Sequence, residues 1–386
     1  MFRLKTQWLL SALIILISLT ACQKESSSSE QAVKPVVEPT TSETMASDES
    51  QAETERLNLW LDERYEEELQ FSPMRLTMQG RKDLYDKMDD VSEEAQKKQA
   101  AWREQTVVQM KELFNYDALT TAGKESYDLW AFQAAEAAAG LAFMRQGFLF
   151  GELGGPEAWL PTFLINFHKV KTEQDMRDYI ERIAGAAGVM DQVLVLAKLK
   201  ADGGFRPPRF AFETAIERAG KVITGLPFNG DTDSPILKDA KGKIEALVTE
   251  GDITEDTARD MLVQVEQKLT DQFQPAYVAY IDFLQEDMAN ADEQARGVSA
   301  MPDGEAYYNR QLAVYTTLPM TADDVHQLGM SEVQRILVEM ETIKDSVGFD
   351  GDLPAFFDFV RDDPRFYYSN TDEGREAYLA DTRQFL

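Results

Sequence analysis

From about residue 53 to the end of the chain, apolar side chains recur at helical spacing, and an alternating, β-branched pattern is hard to find. A recurrence of three to four positions puts one stripe of each helix against a core, whereas a strand would need a period of two. Leu57, Trp60, Leu61, Tyr65 and Leu69 form one stripe, and Trp102, Val107, Met110, Leu113 and Phe114 form another. Thr172, with Asp175 three residues on, reads as the N-cap of a helix carrying Met176, Tyr179, Ile180, Ile183, Ala187, Met190, Val193, Leu194 and Ala197. Thr254 caps a second long helix through Ala258, Met261, Leu262, Val265 and Leu269, which Pro275 breaks or kinks before Tyr277, Tyr280, Ile281 and Leu284 resume the stripe. Thr321 with Asp324 opens a third, through Val325, Leu328, Val333, Ile336, Leu337, Met340 and Ile343. The fold class is all-α, a large multi-helix domain. The chain is punctuated at Gly151–Pro156, Asp202–Pro208 and Pro227–Asp231, but none of these breaks has the length of a linker, so 53–386 reads as one unit.

The N-terminal residues follow a different logic. Arg3 and Lys5 precede an uncharged apolar run from Trp8 to Ile17, and small residues follow it, as in a secretory signal. The run is short of the roughly 20 apolar residues that span a bilayer. Leu19-Thr20-Ala21-Cys22 resembles a lipobox. That resemblance implies a signal peptide over 1–22, a diacylglycerol on the Cys22 thiol, and cleavage before it; the alternative is an ordinary signal with a chance cysteine. Gln23, in place of Asp, resembles the pattern of lipoproteins sent to the outer membrane, which implies a location on its periplasmic face. Residues 23–52 are rich in Ser, Thr, Glu and Pro and read as a disordered tether.

Charge narrows the partners. The chain carries 68 acidic against 39 basic residues, a formal net charge of −29, so phosphate backbones are repelled and no nucleic-acid partner is expected. The expected partners are the membrane, through the anchor at Cys22, and peptides. Cys22 is the only cysteine, which excludes an internal disulfide and a thiolate metal cluster. Only two histidines exist, His168 and His326, with no helical i, i+4 pair, so no zinc signature is present; no glycine-rich phosphate loop is found either, and no cofactor is expected in this chain. No metal ligand and no catalytic residue can be named.

One stretch is more specific. Met301-Pro302-Asp303-Gly304-Glu305-Ala306-Tyr307-Tyr308-Asn309, then Tyr315-Thr316-Thr317, Val325-His326-Gln327-Leu328-Gly329 and Glu332-Val333-Gln334-Arg335-Ile336, followed by Asp362-Asp363-Pro364-Arg365-Phe366-Tyr367, resembles the bacterial family of domain of unknown function 885. The Gly154-Gly155-Pro156 and Arg206-Pro207-Pro208 turns fit the same family. The resemblance implies the N-terminal part of a helical, gluzincin-like zinc metallopeptidase, whose H-E-x-x-H helix lies downstream of these residues. Zinc is therefore expected only in a full-length relative, and this chain is expected to be inactive alone. The alternative is a non-catalytic lipoprotein of the envelope that binds peptides or proteins.

From Gly374 the pattern of a new amphipathic helix begins, with Tyr378, Leu379, Thr382, Phe385 and Leu386 on one face. An apolar face with nothing to cover it gives the expectation that the chain is C-terminally incomplete, a natural short form being the other reading. Tyr307, Tyr308 and His326 are the candidates for a substrate cleft, the two phenols as donors to a bound peptide. Two adjacent helical tyrosines also fit a core and its edge, and His326 beside Asp323 and Asp324 also fits an exposed or capping role. His168, amid Phe163, Leu164 and Phe167, reads as a satisfied buried histidine, and Arg206 and Arg209 as partners of acidic side chains.

Overall fold

The computed structural model describes residues 41–385, and among them there is no strand, only two isolated bridges. Cys22, the signal segment 1–22, most of the tether and Leu386 lie outside the described residues. Helices α1 (Thr41–Leu69), α2 (Pro73–Met78), α3 (Glu93–Leu113), α4 (Thr121–Gly140), α5 (Pro156–Asn166), α6 (Glu173–Asp202), α7 (Arg209–Val222), α8 (Pro235–Glu250), α9 (Glu255–Lys268) and α10 (Gln274–Asp287) come first. Then follow α11 (Gly304–Thr316), α12 (Ala322–Ser346), α13 (Leu353–Asp362) and α14 (Asp372–Arg383).

Three details depart from the sequence reading. Helix α1 begins at Thr41, so residues 41–52, assigned to the tether, are helical. Glu49, Gln51, Ala52, Glu53 and Glu55 are strong helix formers, and propensity extends the helix where no apolar period signals it. Pro275 does not break its helix: a π-turn over Leu269–Phe273 absorbs the missing N–H, and α10 starts with the proline in its first turn. The third departure is larger. Residues 53–386 are not one unit, because chain contacts separate Glu38–Gln311 from Leu312–Leu386, the boundary falling inside α11. A boundary buried in a continuous helix has no linker composition to betray it.

The N-caps are where the spacing placed them. Thr172 Oγ1 accepts from Asp175 N–H at 3.2 Å and Thr254 Oγ1 from Thr257 N–H at 3.2 Å. Thr321 and Asp324 form a reciprocal capping box.

In the larger unit α6 is the axis. It packs along α5, α9 and α10, and its buried face (Met176, Tyr179, Ile183, Met190) joins Phe212 of α7, Leu237 of α8 and Tyr277 of α10 in one apolar core. A smaller core, Leu57, Trp60, Met110, Phe114 and Tyr127, joins α1 to α3 and α4. In the smaller unit Leu353 is the one buried apolar side chain among the described residues. Half-buried Phe349, Phe356, Phe359 and Phe366 cluster around α13, with centroids 5.1–6.2 Å apart.

Candidate functional site

Position 182 falls on the same stripe of α6 as Tyr179, Ile183 and Ala186, which is why an arginine there ends up fully buried. Arg182 meets no carboxylate. Its Nε donates to Lys87 O (2.9 Å), Nη2 to Thr77 Oγ1 (2.7 Å), and Nη1 to His168 Nδ1 (3.1 Å). His168 is completely buried, and with Nδ1 accepting, Nε2–H donates to Asp175 O at 2.9 Å. Burial lowers the His168 pKa to about 3, despite the hydrogen bond to Asp175 O, with the Arg182 charge adding to the depression. Burial likewise lowers Arg182 to about 10. Lys82 closes the cluster on the Asp175 carboxylate at 2.6 and 2.7 Å. Burial pushes the Asp175 carboxyl up, yet the bonds from Lys82, Lys171 N–H and Thr172 together hold it below its ordinary value. Both ring nitrogens of His168 are engaged, so it offers neither a base nor a metal ligand. This cluster clamps the 73–87 segment to α6.

A surface pocket of about 270 Å³ lies elsewhere in the same unit, where three loops converge. Phe148, Phe150 and Gly151 come from the loop before α5, Pro207, Pro208 and Phe210 from the start of α7, and Met301 from the segment after α10. Phe150 is buried and packs edge-on to Phe212 at 4.9 Å, so the wall it forms is continuous with the main core. Phe148 and Phe210 are each 44 % exposed.

Two of the three loops are held by a charge. Arg206 grips the buried Asp287 through Nε and Nη2 at 2.8–2.9 Å, which ties the Pro207-Pro208 turn to the end of α10. Arg218 Nε donates to the fully buried Glu157 at 2.9 Å, while Nη2 and Nη1 donate to Gly151 O (2.6 Å) and Glu152 O (2.9 Å). Gly151 and Gly154 exchange backbone hydrogen bonds at 3.0 and 3.3 Å, closing a tight turn with Leu153 wholly exposed at its tip. A Cβ at 155 would come within 2.9 Å of Phe150 Cβ and 2.3 Å of Glu157 Oε2, so the glycine leaves room for both side chains. Tyr277 Oη donates to Glu157 O at 2.9 Å, and burial raises the Tyr277 phenol well above its ordinary range. At the rim, Arg296 is neutralised by Asp292 at 2.5 Å, whereas the exposed Glu152 carboxylate has no cationic partner among the described residues.

The residues nominated from sequence are distributed over both units. Tyr307 is partly buried in the larger unit, its ring 6.2 Å from Phe143 and its hydroxyl against Gly147. Tyr308, its neighbour on α11, is 43 % exposed. His326 is exposed on the second turn of α12, in the smaller unit. Arg206 and Arg209 are ion-paired, Arg209 with Glu213 at 3.2 Å. Sequence reasoning found two of the three loops as punctuation, Gly151–Pro156 and Asp202–Pro208, while its third break, Pro227–Asp231, lies outside the pocket; the pocket itself was missed because Phe148, Phe210 and Met301 carry no local pattern. Their signal was the coincidence of aromatic and proline residues in loops, where polar residues are the norm. Zinc finds no donor set here: among the described residues no group of three His, Cys, Asp or Glu could hold a metal ion. No helix among them is long and apolar enough to cross a membrane.

No curated protein matches the chain. Among solved structures it is similar to the crystal structure of the "putative lipoprotein from Colwellia psychrerythraea", with a TM-score of 0.69 at 19% identity over 90% of this chain and 58% of that one. At that identity the likeness is one of fold. The chain thus spans 58% of the length of that solved chain. The sequence also matches the profile of DUF885, bacterial proteins of unknown function, over residues 73–386. With the match running from the first residue of α2 to the last residue of the sequence, the chain belongs to the DUF885 family.

Proposed function

We propose that this chain is the N-terminal part of a lipid-anchored protein of the cell envelope, on the periplasmic face of the outer membrane, and that by itself it binds peptides without cleaving them. The observation that carries peptide binding is the open apolar pocket built from three loops, two of them braced by arginines. Anchoring is supported by Leu19-Thr20-Ala21-Cys22 and by the name of the structural neighbour. The resemblance to zinc peptidases supports a place for this chain in a longer polypeptide whose metal site lies on other residues. Tyr307 and Tyr308 in the larger unit, and separately His326 in the smaller, remain candidates for substrate contact in that longer protein. The greater length of the solved relative and the apolar side chains exposed on α12 agree with that reading.

Peptide binding is tested on the purified chain with a library of short unstructured peptides, following binding, cleavage and retained zinc together. The expected result is binding without turnover and without stoichiometric zinc. Turnover with bound zinc, or no binding to any peptide, would contradict it. Anchoring is tested separately: Cys22→Ala abolishes incorporation of labelled fatty acid and releases the protein from membranes.

A further inference from the structure

The pocket is small and is an apolar island on a very acidic protein. At about 270 Å³ it lies just below the range of sites for drug-sized ligands, so it suits one large side chain rather than an extended cofactor. Its walls are the rings of Phe148, Phe150 and Phe210 with Pro207, Pro208 and Met301, and both of its arginines are already held by aspartates. Beside it the 151–154 turn, braced by Arg218, holds Leu153 fully in solvent. A rigid, exposed leucine next to an aromatic pocket is a preorganised contact surface.

Charge selects among occupants. Glu152 stands unpaired at the rim among the described residues, Asp292 is balanced by Arg296, and the chain as a whole carries −29. That field repels a second copy of the chain and acidic peptides, and favours basic ones.

On the reading that the chain binds peptides, we infer that this pocket is the docking point of an extended basic peptide, which inserts one aromatic or branched apolar side chain and places a Lys or Arg beside Glu152. Leu153 packs against the peptide next to the inserted residue.

The test uses the full chain in lipid nanodiscs and dye-labelled nonapeptides of Gly and Ser bearing a central Lys-Phe-Lys. Replacing the peptide Phe by Ala weakens binding at least about tenfold. Phe210→Ala in the protein does the same; Phe210 is half exposed, and an unchanged thermal melt checks that the fold is kept. Glu152→Lys weakens the Lys-Phe-Lys peptide roughly threefold, leaves a Ser-Phe-Ser peptide unchanged, and reduces the salt dependence. A benzoylphenylalanine at the central position crosslinks to Met301 or Phe210. If the peptides bind equally well to Phe210→Ala and crosslink elsewhere, this docking site is wrong while peptide binding stands. If no peptide of any sequence binds, the proposed function fails with it. If the chain instead self-associates through Leu153 and Phe210 and peptides do not compete, the occupant is a second copy and the inference is overturned.

Discussion

Helices α6 and α12 look alike as sequences and differ in what the fold does with them. Both are long, 30 and 25 residues, both start at a threonine whose side chain caps the third helical N–H, and both carry an apolar stripe. Almost half of α6 is buried, including an arginine, and its stripe forms the spine of the main core. None of α12 is buried: Leu328, Val333, Ile336 and Leu337 are all exposed. Amphipathic period and capping specify a helix and say which face is sticky. Burial depends on whether neighbouring elements present complementary faces, and within Glu38–Gln311 they do.

The largest expected effect tests the buried side of this contrast. Arg182→Leu leaves Lys87 O, Thr77 Oγ1 and His168 Nδ1 without their donor and is expected to destabilise the larger unit by about 3–5 kcal/mol. Urea unfolding followed by tryptophan fluorescence reads that unit, because all of the described tryptophans (Trp60, Trp102, Trp130 and Trp159) lie in it. A loss under about 1 kcal/mol would mean that the cluster is not the clamp described here.

Acid is the next probe. His168 has a folded pKa of about 3 against an ordinary 6.5, so below 6.5 the unfolded chain takes up a proton that the folded one refuses. Stability is complete above 6.5 and is lost as the pH falls towards 3, by roughly 2 kcal/mol between pH 7 and 5. Asp175, held below its ordinary value, adds loss in the same direction at lower pH. Thermal melts should show a flatter pH dependence in His168→Gln, whose amide can both donate and accept but does not titrate. An identical slope would count against the neutral, buried ring.

Caps separate the two regions more finely. Thr172→Ala is expected to lower the stability of the larger unit by about 1 kcal/mol. Thr321→Ala, at the equivalent position of α12, should leave that transition unmoved and reduce only helical circular dichroism. Smallest of all, Ile336→Ser should change stability by less than about 0.5 kcal/mol, since the side chain is exposed, while lowering aggregation measured by light scattering.

Much of the larger unit was legible in the sequence. Thr172 and Thr254 marked helix starts there, as Thr321 did in the smaller unit, and His168 among Phe163, Leu164 and Phe167 marked a buried, satisfied ring. These signals are local, and local chemistry decides them. Arg182 was legible only to a reader who trusted its place on the stripe over its charge. The start of α1 at Thr41 escaped because propensity without period resembles a tether. The π-turn before Pro275 and the division within α11 have no composition of their own. The pocket was the least visible, since its walls come from three loops far apart in the chain and their meeting is a property of the packed helices behind them.

Backbone amide hydrogen exchange of the intact chain, read by mass spectrometry, tests the contrast between the two helices most directly. The account predicts that α6 and α10 exchange slowly, near the rate of global unfolding, while α12 exchanges orders of magnitude faster despite its length and capping box. Protection of α12 equal to that of α6 would contradict it.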